Sequence, residues 1–373
     1  MEIAFVGGNP EFVRPGGMMV YVMNLINYYS NKNVNVSLIA PSNKPNKVYP
    51  YHLIPICNKE DITSLESVLY IFINKKKLCL SSNCIIHAQR SDEMFPFVLF
   101  YRKNLKILTL HGAHIKNVYK KRGKIIGGLY GLIEGFVLRH VDKIISVSDE
   151  NKNYFLNKYP FIKNKIVVIP VSIDLNIFKP LDRNDCKKKY GFDENDKVIL
   201  YVGRFEKEKR IEIIINIYNE IIEDKRFSNI KLLLVGSGKE KNQIYSQTVK
   251  NQNIFIKGPV SHNEIPEILN CSDVLILSSL YEGMPTVVLE ALACGVPVVS
   301  TDVGDINKVV INGKTGYVVK IGDEDRMADK IKDILSGNSI QKRNCIGAAR
   351  DYSIDTIAES IMGVYNGLIN KRE

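Results

Sequence analysis

The chain reads as an α/β protein made of two doubly wound Rossmann-like units, and three observations lead there. Its 373 residues exceed what one ordinary core accommodates. Short runs rich in valine and isoleucine alternate with helical patterns over nearly the whole length. Glycines and charged side chains gather just after those runs, where open parallel sheets bind their ligands.

In the first half the runs are Ile3–Val6, Val34–Ala40, Cys84–His87, Ile107–Leu110, Lys143–Val147 and Ile166–Ile169. Each is nearly continuous rather than alternating, as expected of strands covered on both faces. In the second half they are Val198–Val202, Leu232–Val235, Ile254–Ile256, Val274–Leu277 and Val296–Ser300. Helical stretches such as Glu212–Ile222 and Ile265–Leu269 separate them. The join is expected in Pro170–Pro180, where a proline at either end stiffens the chain. Residues 1–172 and 173–353 are therefore the expected domains.

A hydrophobic content of 45% and a charged content of 24% suit a soluble globular protein. Met1–Gly7 reads as a first strand entering a glycine loop, not as a secretory signal. No apolar run approaches the roughly 20 residues of a membrane-spanning helix. The longest, Ile125–Leu138, is too short and contains Glu134. Seven cysteines without a Cys-x-x-Cys pair suggest reduced thiols and a cytoplasmic setting. The spacing of Cys79 and Cys84 matches no zinc pattern, so no metal site is expected. The net charge is +11, and residues 1–172 carry all of that excess. Such a half attracts an anionic partner, namely a phosphorylated acceptor, an acidic membrane or nucleic acid. The plainer alternative is a solvated lysine-rich surface.

The first strand leads through Gly7-Gly8 to Gly16-Gly17 at a helix entrance, where backbone approaches a ligand closely. Taken alone, that glycine pair is an ordinary turn. The strand Val198–Val202 ends in Gly203-Arg204-Phe205-Glu206-Lys207-Glu208-Lys209-Arg210. Arg204 offers a planar fork and Lys209 a point charge, both suited to a diphosphate; a solvated charge run is the alternative.

The most informative stretch follows Val274–Leu277. It turns at Gly283 and Pro285, then runs as a helix until Gly295 and Pro297. Glu282 lies in the turn and Glu290 eight positions on, too far around an ideal helix to share a face, so their roles differ. Glu290 suits the hydroxyls of a ribose and Glu282 those of a transferred sugar. The amides around Gly283, Met284, Pro285, Thr286 and Val287 suit phosphate, as helix N-termini do.

His111 directly follows the strand Ile107–Leu110, and Gln89 and Arg90 follow Cys84–His87. A lone histidine is commonly structural; one at a strand C-terminus is also a site candidate, and Arg90 is a candidate contact for an acceptor. Gly236-Ser237-Gly238-Lys239-Glu240 imitates a phosphate loop, but Leu233 and Glu240 break the pattern. Gly236 is better read as a turn that lets a nucleotide approach. No complete G-x-G-x-x-G follows the first strand, which disfavours a nicotinamide dehydrogenase.

Together these motifs resemble the retaining, nucleotide-sugar-dependent glycosyltransferases of family 4 (GT4), which have the two-domain GT-B fold. The resemblance spans essentially the whole chain and is strongest over residues 198–319, including Asn312-Gly313-Lys314-Thr315-Gly316. It implies a first domain for the acceptor and a second for the donor, with a last helix over about 354–373 returning to the first. It implies that Arg204 and Lys209 hold the donor diphosphate, Glu290 the ribose, Glu282 the donor sugar and the Gly17 amide the phosphate. Gly258, Pro259 and Val260 would lie beside the nucleobase, and His111 near the transferred sugar and acceptor. Two departures stand out: Arg210 replaces the family's usual glycine, and Gln89 a second histidine.

The expected reaction is metal-independent hexosyl transfer without a cofactor. A UDP-sugar is favoured as co-substrate, with GDP- and ADP-sugars as alternatives. The expected acceptor is a sugar, glycolipid or polysaccharide, and nucleic acid is not an expected partner. A GT-B epimerase or phosphorylase, or a silent sugar-nucleotide-binding subunit, are the competing readings. Lys120-Lys121-Arg122-Gly123-Lys124 and the apolar stretch after it suggest contact with an anionic membrane on its inner face, against the alternative of a helix packed on the sheet.

Overall fold

The computed structural model describes all residues except 9–16, 45–46, 60–61, 113, 228, 338–339 and 373, and leaves out the side chains of 64, 114–122 and 124. The chain divides into two compact units, Met1–Ser172 with Ile354–Glu373, and Ile173–Ser353.

The first unit runs β1 (Glu2–Val6), α1 (Gly17–Asn31), β2 (Asn35–Ala40), β3 (His52–Pro55), α2 (Ser64–Asn74), β4 (Cys84–Ala88), α3 (Ser91–Phe100), β5 (Lys106–Leu110), α4 (His114–His140), β6 (Lys143–Ser146), α5 (Asp149–Lys158) and β7 (Ile166–Val168). Its seven strands lie in the order β3-β2-β1-β4-β5-β6-β7, all parallel. Strand order reverses between β1 and β4, the place where such sheets open a binding crevice. The central strands β4 and β5 are buried along their whole length, with His87, Lys106 and Thr109 as the polar residues among their apolar ones. Ala4, Ile86, Leu108 and Ile144 pack there against Ile71, Met94, Phe97, Val137 and Phe155 of the covering helices. Thr63 starts α2 with a capping box to Glu66, and the Ser148 hydroxyl caps α5. Within α4, Gly123 is non-helical (φ 82°, ψ 175°), so α4 is two helical segments.

The C-terminal helix Ile354–Ile369 belongs to this unit and packs on α1. The Tyr29 hydroxyl donates to the Ala358 carbonyl at 2.7 Å. The Tyr365 hydroxyl meets His87 Nδ1 at 2.6 Å, and His87 Nε2 meets Thr109 Oγ1 at 2.7 Å. Burial pushes the His87 pKa down to about 3, so the imidazole is neutral.

The second unit runs α6 (Arg183–Lys189), β8 (Lys197–Val202), α7 (Ile211–Glu223), β9 (Ile230–Val235), α8 (Lys241–Thr248), β10 (Ile254–Lys257), α9 (Ile265–Asn270), β11 (Val274–Leu277), α10 (Thr286–Ala293), β12 (Val298–Thr301), β13 (Gly316–Val319), α11 (Glu324–Leu335) and α12 (Lys342–Arg350). Six parallel strands lie in the order β10-β9-β8-β11-β12-β13, reversing between β8 and β11. Two strands were not expected from the sequence, β3 and β13. Each holds only two aliphatic residues, beside a proline or a glycine that reads as a turn, so neither stands out as a valine- and isoleucine-rich run. The strand expected at Val296–Ser300 starts two residues later, because Val296 still belongs to the end of α10.

Candidate functional site

In the second unit the expected residues converge where β8, β9 and β11 end. The Gly203 amide donates to the Val235 carbonyl at 3.0 Å, and the Phe205 amide to the Ser237 carbonyl at 2.9 Å. A Cβ on Gly236 would lie 1.9 Å from the Gly203 oxygen, and one on Gly238 2.2 Å from the Phe205 oxygen. What these glycines admit is therefore the neighbouring backbone. That packing steers residues 203–209 across the strand ends.

Lys209 arrives there in a single 3-10 turn, Lys207–Lys209, and its ammonium forms an ion pair with Glu282 Oε1. The same oxygen accepts from Ser279 Oγ at 2.8 Å. Ser278 Oγ donates to the carbonyls of Lys209 and Arg210 at 2.6 and 2.9 Å, and the Leu280 amide donates to the Glu208 carbonyl at 2.9 Å. The two loops are thus stitched together through backbone and hydroxyls, and the Lys209 and Glu282 side chains are only 13% and 16% exposed. Arg204 behaves differently: its side chain is 69% exposed, with the Glu208 carboxylate 3.7 Å away.

Arg210 takes the left-handed conformation, φ 51° and ψ 50°, at the start of α7. That backbone is why a glycine suits the position. Here the side chain is used instead, in an ion pair with Glu324 at the start of α11.

The loop after β11 is held by the Gly283 carbonyl, which accepts from the Asp305 amide at 3.1 Å. α10 then begins at Thr286 behind Pro285, with no side chain capping its amides. Helix starts of this kind leave N–H groups facing outward. Met284 and Glu290 are buried. Burial pushes the Glu290 pKa up to about 8, with a hydrogen bond from Thr286 opposing the rise. Gly295 (φ 79°) closes α10, as the Val296 amide reaches back to the Ala291 carbonyl at 2.8 Å. Gly258, Pro259 and Val260 follow the edge strand β10, beyond β9 from the Lys209 loop, and a Cβ on Gly258 would meet nothing within 4 Å.

In the first unit, His111 Nε2 and Gln89 Oε1 lie 2.9 Å apart at the ends of β5 and β4. The Tyr21 ring meets the His111 ring edge-on, with centroids 5.0 Å apart. Arg90 precedes α3 and is engaged by Asp92 through two hydrogen bonds of 3.0 and 2.8 Å. Among the described residues, the buried Gln89 Nε2 and Glu93 Oε2 have no hydrogen-bond partner. Glu93 lies against the end of β1, where a Cβ on Gly7 would be 2.3 Å from its Oε2, and burial raises its pKa. Gly17 is the exposed first residue of α1; Gly16 lies outside the described residues. Sequence reasoning missed Ser278, Ser279, Tyr21 and Glu93. The serines were visible as the polar end of a strand. An acidic residue in a first helical turn is too common to signal anything.

Residues 182–352 match the family Glycosyl transferases group 1, and residues 15–177 match Glycosyltransferase Family 4. The N-acetyl-alpha-D-glucosaminyl L-malate synthase of Bacillus anthracis is 31% identical over 65% of this chain and 68% of its own length. The capsular polysaccharide biosynthesis glycosyltransferase CapM of Staphylococcus aureus is 28% identical over 93% of this chain and 94% of its own. The solved structure of Anabaena Alr3699/HepE in complex with UDP superposes with a TM-score of 0.78 at 16% identity, covering 98% of this chain and 100% of that one. With two parallel α/β units, matching sequence motifs in order and these relatives, the chain belongs to the family 4 glycosyltransferases of the GT-B fold.

Proposed function

We propose that this chain is a retaining, metal-independent hexosyltransferase that uses a nucleotide-diphosphate sugar, with UDP as the favoured nucleotide. The observation that carries this reading is the buried Lys209–Glu282 pair beside the uncapped start of α10, with the raised carboxyl of Glu290 on that helix. Lys209, Arg204 and the first amides of α10 are the groups that would offset charge on a departing diphosphate. Glu282 would take hydroxyls of the transferred sugar and Glu290 those of the ribose. The UDP in the HepE complex supports the choice of nucleotide, and the name of the CapM relative supports a polysaccharide or glycolipid acceptor.

In the proposed reaction the bond between the sugar C1 and the β-phosphate oxygen breaks, leaving an oxocarbenium-like centre. The acceptor oxygen bonds to C1 on the same face and passes its proton to the released phosphate oxygen. The first unit, with His111, Gln89 and Arg90, would hold the acceptor; its basic surface suits a cytoplasmic enzyme working beside an anionic membrane.

A thermal-shift screen with UDP, GDP and ADP, followed by their sugar conjugates, tests the donor assignment. UDP is expected to raise Tm most. If none of the three shifts the transition, the donor site is wrongly placed. Sugar release from the shifting conjugate, followed by product anomer analysis with oligosaccharide acceptors, tests retention; an inverted product would overturn that part.

A further inference from the structure

Two buried polar groups at the strand ends of the first unit lie side by side. β1 and β4 run parallel with Val6 opposite Ala88, so Gly7 and Gln89 follow as neighbours at the carboxyl ends of the two strands. The Glu93 carboxyl, from the first turn of α3, reaches the same spot, since a Cβ on Gly7 would lie 2.3 Å from its Oε2. Gly7 has no side chain, which leaves that space to the carboxyl. Gln89 and Glu93 are only 1% and 5% exposed. Among the described residues, neither Gln89 Nε2 nor Glu93 Oε2 has a hydrogen-bond partner. Buried polar atoms are nearly always partnered, so two orphans beside each other, where the strand order reverses, call for a group from outside.

The surroundings decide what that group is. Gln89 Oε1 is engaged by His111 Nε2 at 2.9 Å, which leaves the amide nitrogen of Gln89 to donate. An ammonium offers that donor nothing to meet. A carboxylate or phosphate needs a cation, and the guanidinium at hand, Arg90, is already held by Asp92 at 3.0 and 2.8 Å. Burial raises the Glu93 pKa against the pull of Arg90, with Asp92 adding to the rise, so the neutral carboxyl is favoured. A hydroxyl answers both orphan atoms: its oxygen accepts from the amide, and it donates to or accepts from a carboxyl. Close by there is room to enter, because a Cβ on Gly112, next to His111, would meet nothing within 4 Å.

We propose that Gln89 Nε2 and Glu93 Oε2 form a subsite for one hydroxyl of a neutral sugar, and that Glu93 selects such a sugar over an anionic one. The subsite rests on the reading of the first unit as the acceptor half, and gives that half a charge preference. It is tested without donor or transfer.

The full chain is titrated in saturation-transfer NMR with methyl glucoside, methyl galactoside and methyl N-acetylglucosaminide, and in parallel with methyl glucuronide and glucose 6-phosphate. At least one neutral glycoside is expected to take up saturation, and the two anions are not. Glu93→Gln, neutral and still able to hydrogen-bond, is expected to keep that binding. Glu93→Leu is expected to lose roughly tenfold in affinity, as loss of one hydrogen bond to the sugar does. If Glu93→Leu melts early, Gln89→Leu reads the same loss. UDP, assigned to the second unit, is expected to shift Tm equally in all variants. A wild-type chain that ignores UDP discards the donor reading, while the sugar titration still decides the subsite. Saturation of none of the neutral glycosides overturns the proposal and leaves the two atoms to a resident water only. So does equal binding of the anions, or a leucine variant that shifts Tm but keeps the wild-type sugar affinity, because the carboxyl is then structural.

Discussion

Lys209 and Glu282, separated by 73 positions in sequence, form a nearly buried ion pair, and Ser279 fixes the same carboxylate oxygen at 2.8 Å. The pairing holds the ammonium in place at the strand ends. Burying two charges is costly unless other hydrogen bonds complete the geometry; Ser279 supplies one to the carboxylate, and Ser278 holds the backbone that carries Lys209. An ion pair maintained at that cost, at the carboxyl ends of two central strands, fits a site better than a stability device.

Removing the ammonium therefore acts on turnover. Lys209→Ala is expected to lower the transfer rate by on the order of 10²-fold or more, as loss of a preorganised charge-stabilising group does. Arg204→Ala is expected to do the same, although its exposed side chain contributes little to stability. Steady-state kinetics with the nucleotide sugar selected by thermal shift check both, with circular dichroism confirming the fold. Near-normal transfer by either variant removes that residue from the mechanism.

Glu290 predicts a pH dependence of nucleotide binding. Its folded-state pKa stands at about 8 against an ordinary 4.5. The neutral carboxyl thus contributes stability that is complete below 4.5 and is lost as pH rises through 8. A carboxylate accepts ribose hydroxyls better than a carboxylic acid does, so binding releases a proton. UDP affinity is expected to rise with pH up to about 8 and then level off. Glu290→Gln is expected to bind more weakly and without that slope in calorimetric titrations at several pH values. A parallel slope in the variant assigns the titration to another group.

At Arg210, backbone strain and an ion pair oppose each other. Arg210→Gly relieves a left-handed residue, at about 1–2 kcal/mol, and loses a partly exposed pair with Glu324 worth up to about 1 kcal/mol. Arg210→Ala keeps the strain and loses the pair. The glycine variant is expected to unfold at a higher urea concentration than the alanine variant. The reverse order would show that the left-handed backbone carries no such strain at this position.

His87 makes the first unit sensitive to acid. Its pKa falls from 6.5 to about 3 on folding, so the neutral ring contributes stability present above 6.5 and lost as pH falls towards 3. His87→Gln is expected to flatten Tm against pH across that window. Tyr365→Phe leaves a buried ring nitrogen without its partner and is expected to cost about 1–3 kcal/mol. An unchanged acid limb in His87→Gln places the sensitivity elsewhere.

The sequence was most legible where burial is complete. All eleven expected strands are present, because strands in covered parallel sheets are rich in valine, isoleucine and leucine even where a buried His87 or Thr109 interrupts them. β3 and β13 escaped notice because each sets two aliphatic residues beside a proline or glycine that reads as a turn. Lys209 and Glu282 were legible separately as strand-end residues; their pairing depends on β8 and β11 being neighbours, which is a property of topology. Arg210 was noticed as a departure from a familiar glycine, and only its dihedral angles show what the glycine supplies. The unpartnered atoms of Gln89 and Glu93 had no trace in the sequence, since a missing hydrogen bond leaves no pattern.

The hydrogen bonds from Tyr29 to Ala358 and between His87 and Tyr365 also bear on how the chain is made. On the ribosome, the first unit emerges without the helix that covers these groups. At roughly 5–20 residues per second, synthesis of the remaining two hundred or so residues takes on the order of 10–40 s. The continuous unit Ile173–Ser353 is able to close in that interval, while the earlier one waits with an uncovered apolar flank. A nascent chain of this kind is a natural client for a chaperone, and a stop codon before Ile354 would strand the N-terminal half unfinished.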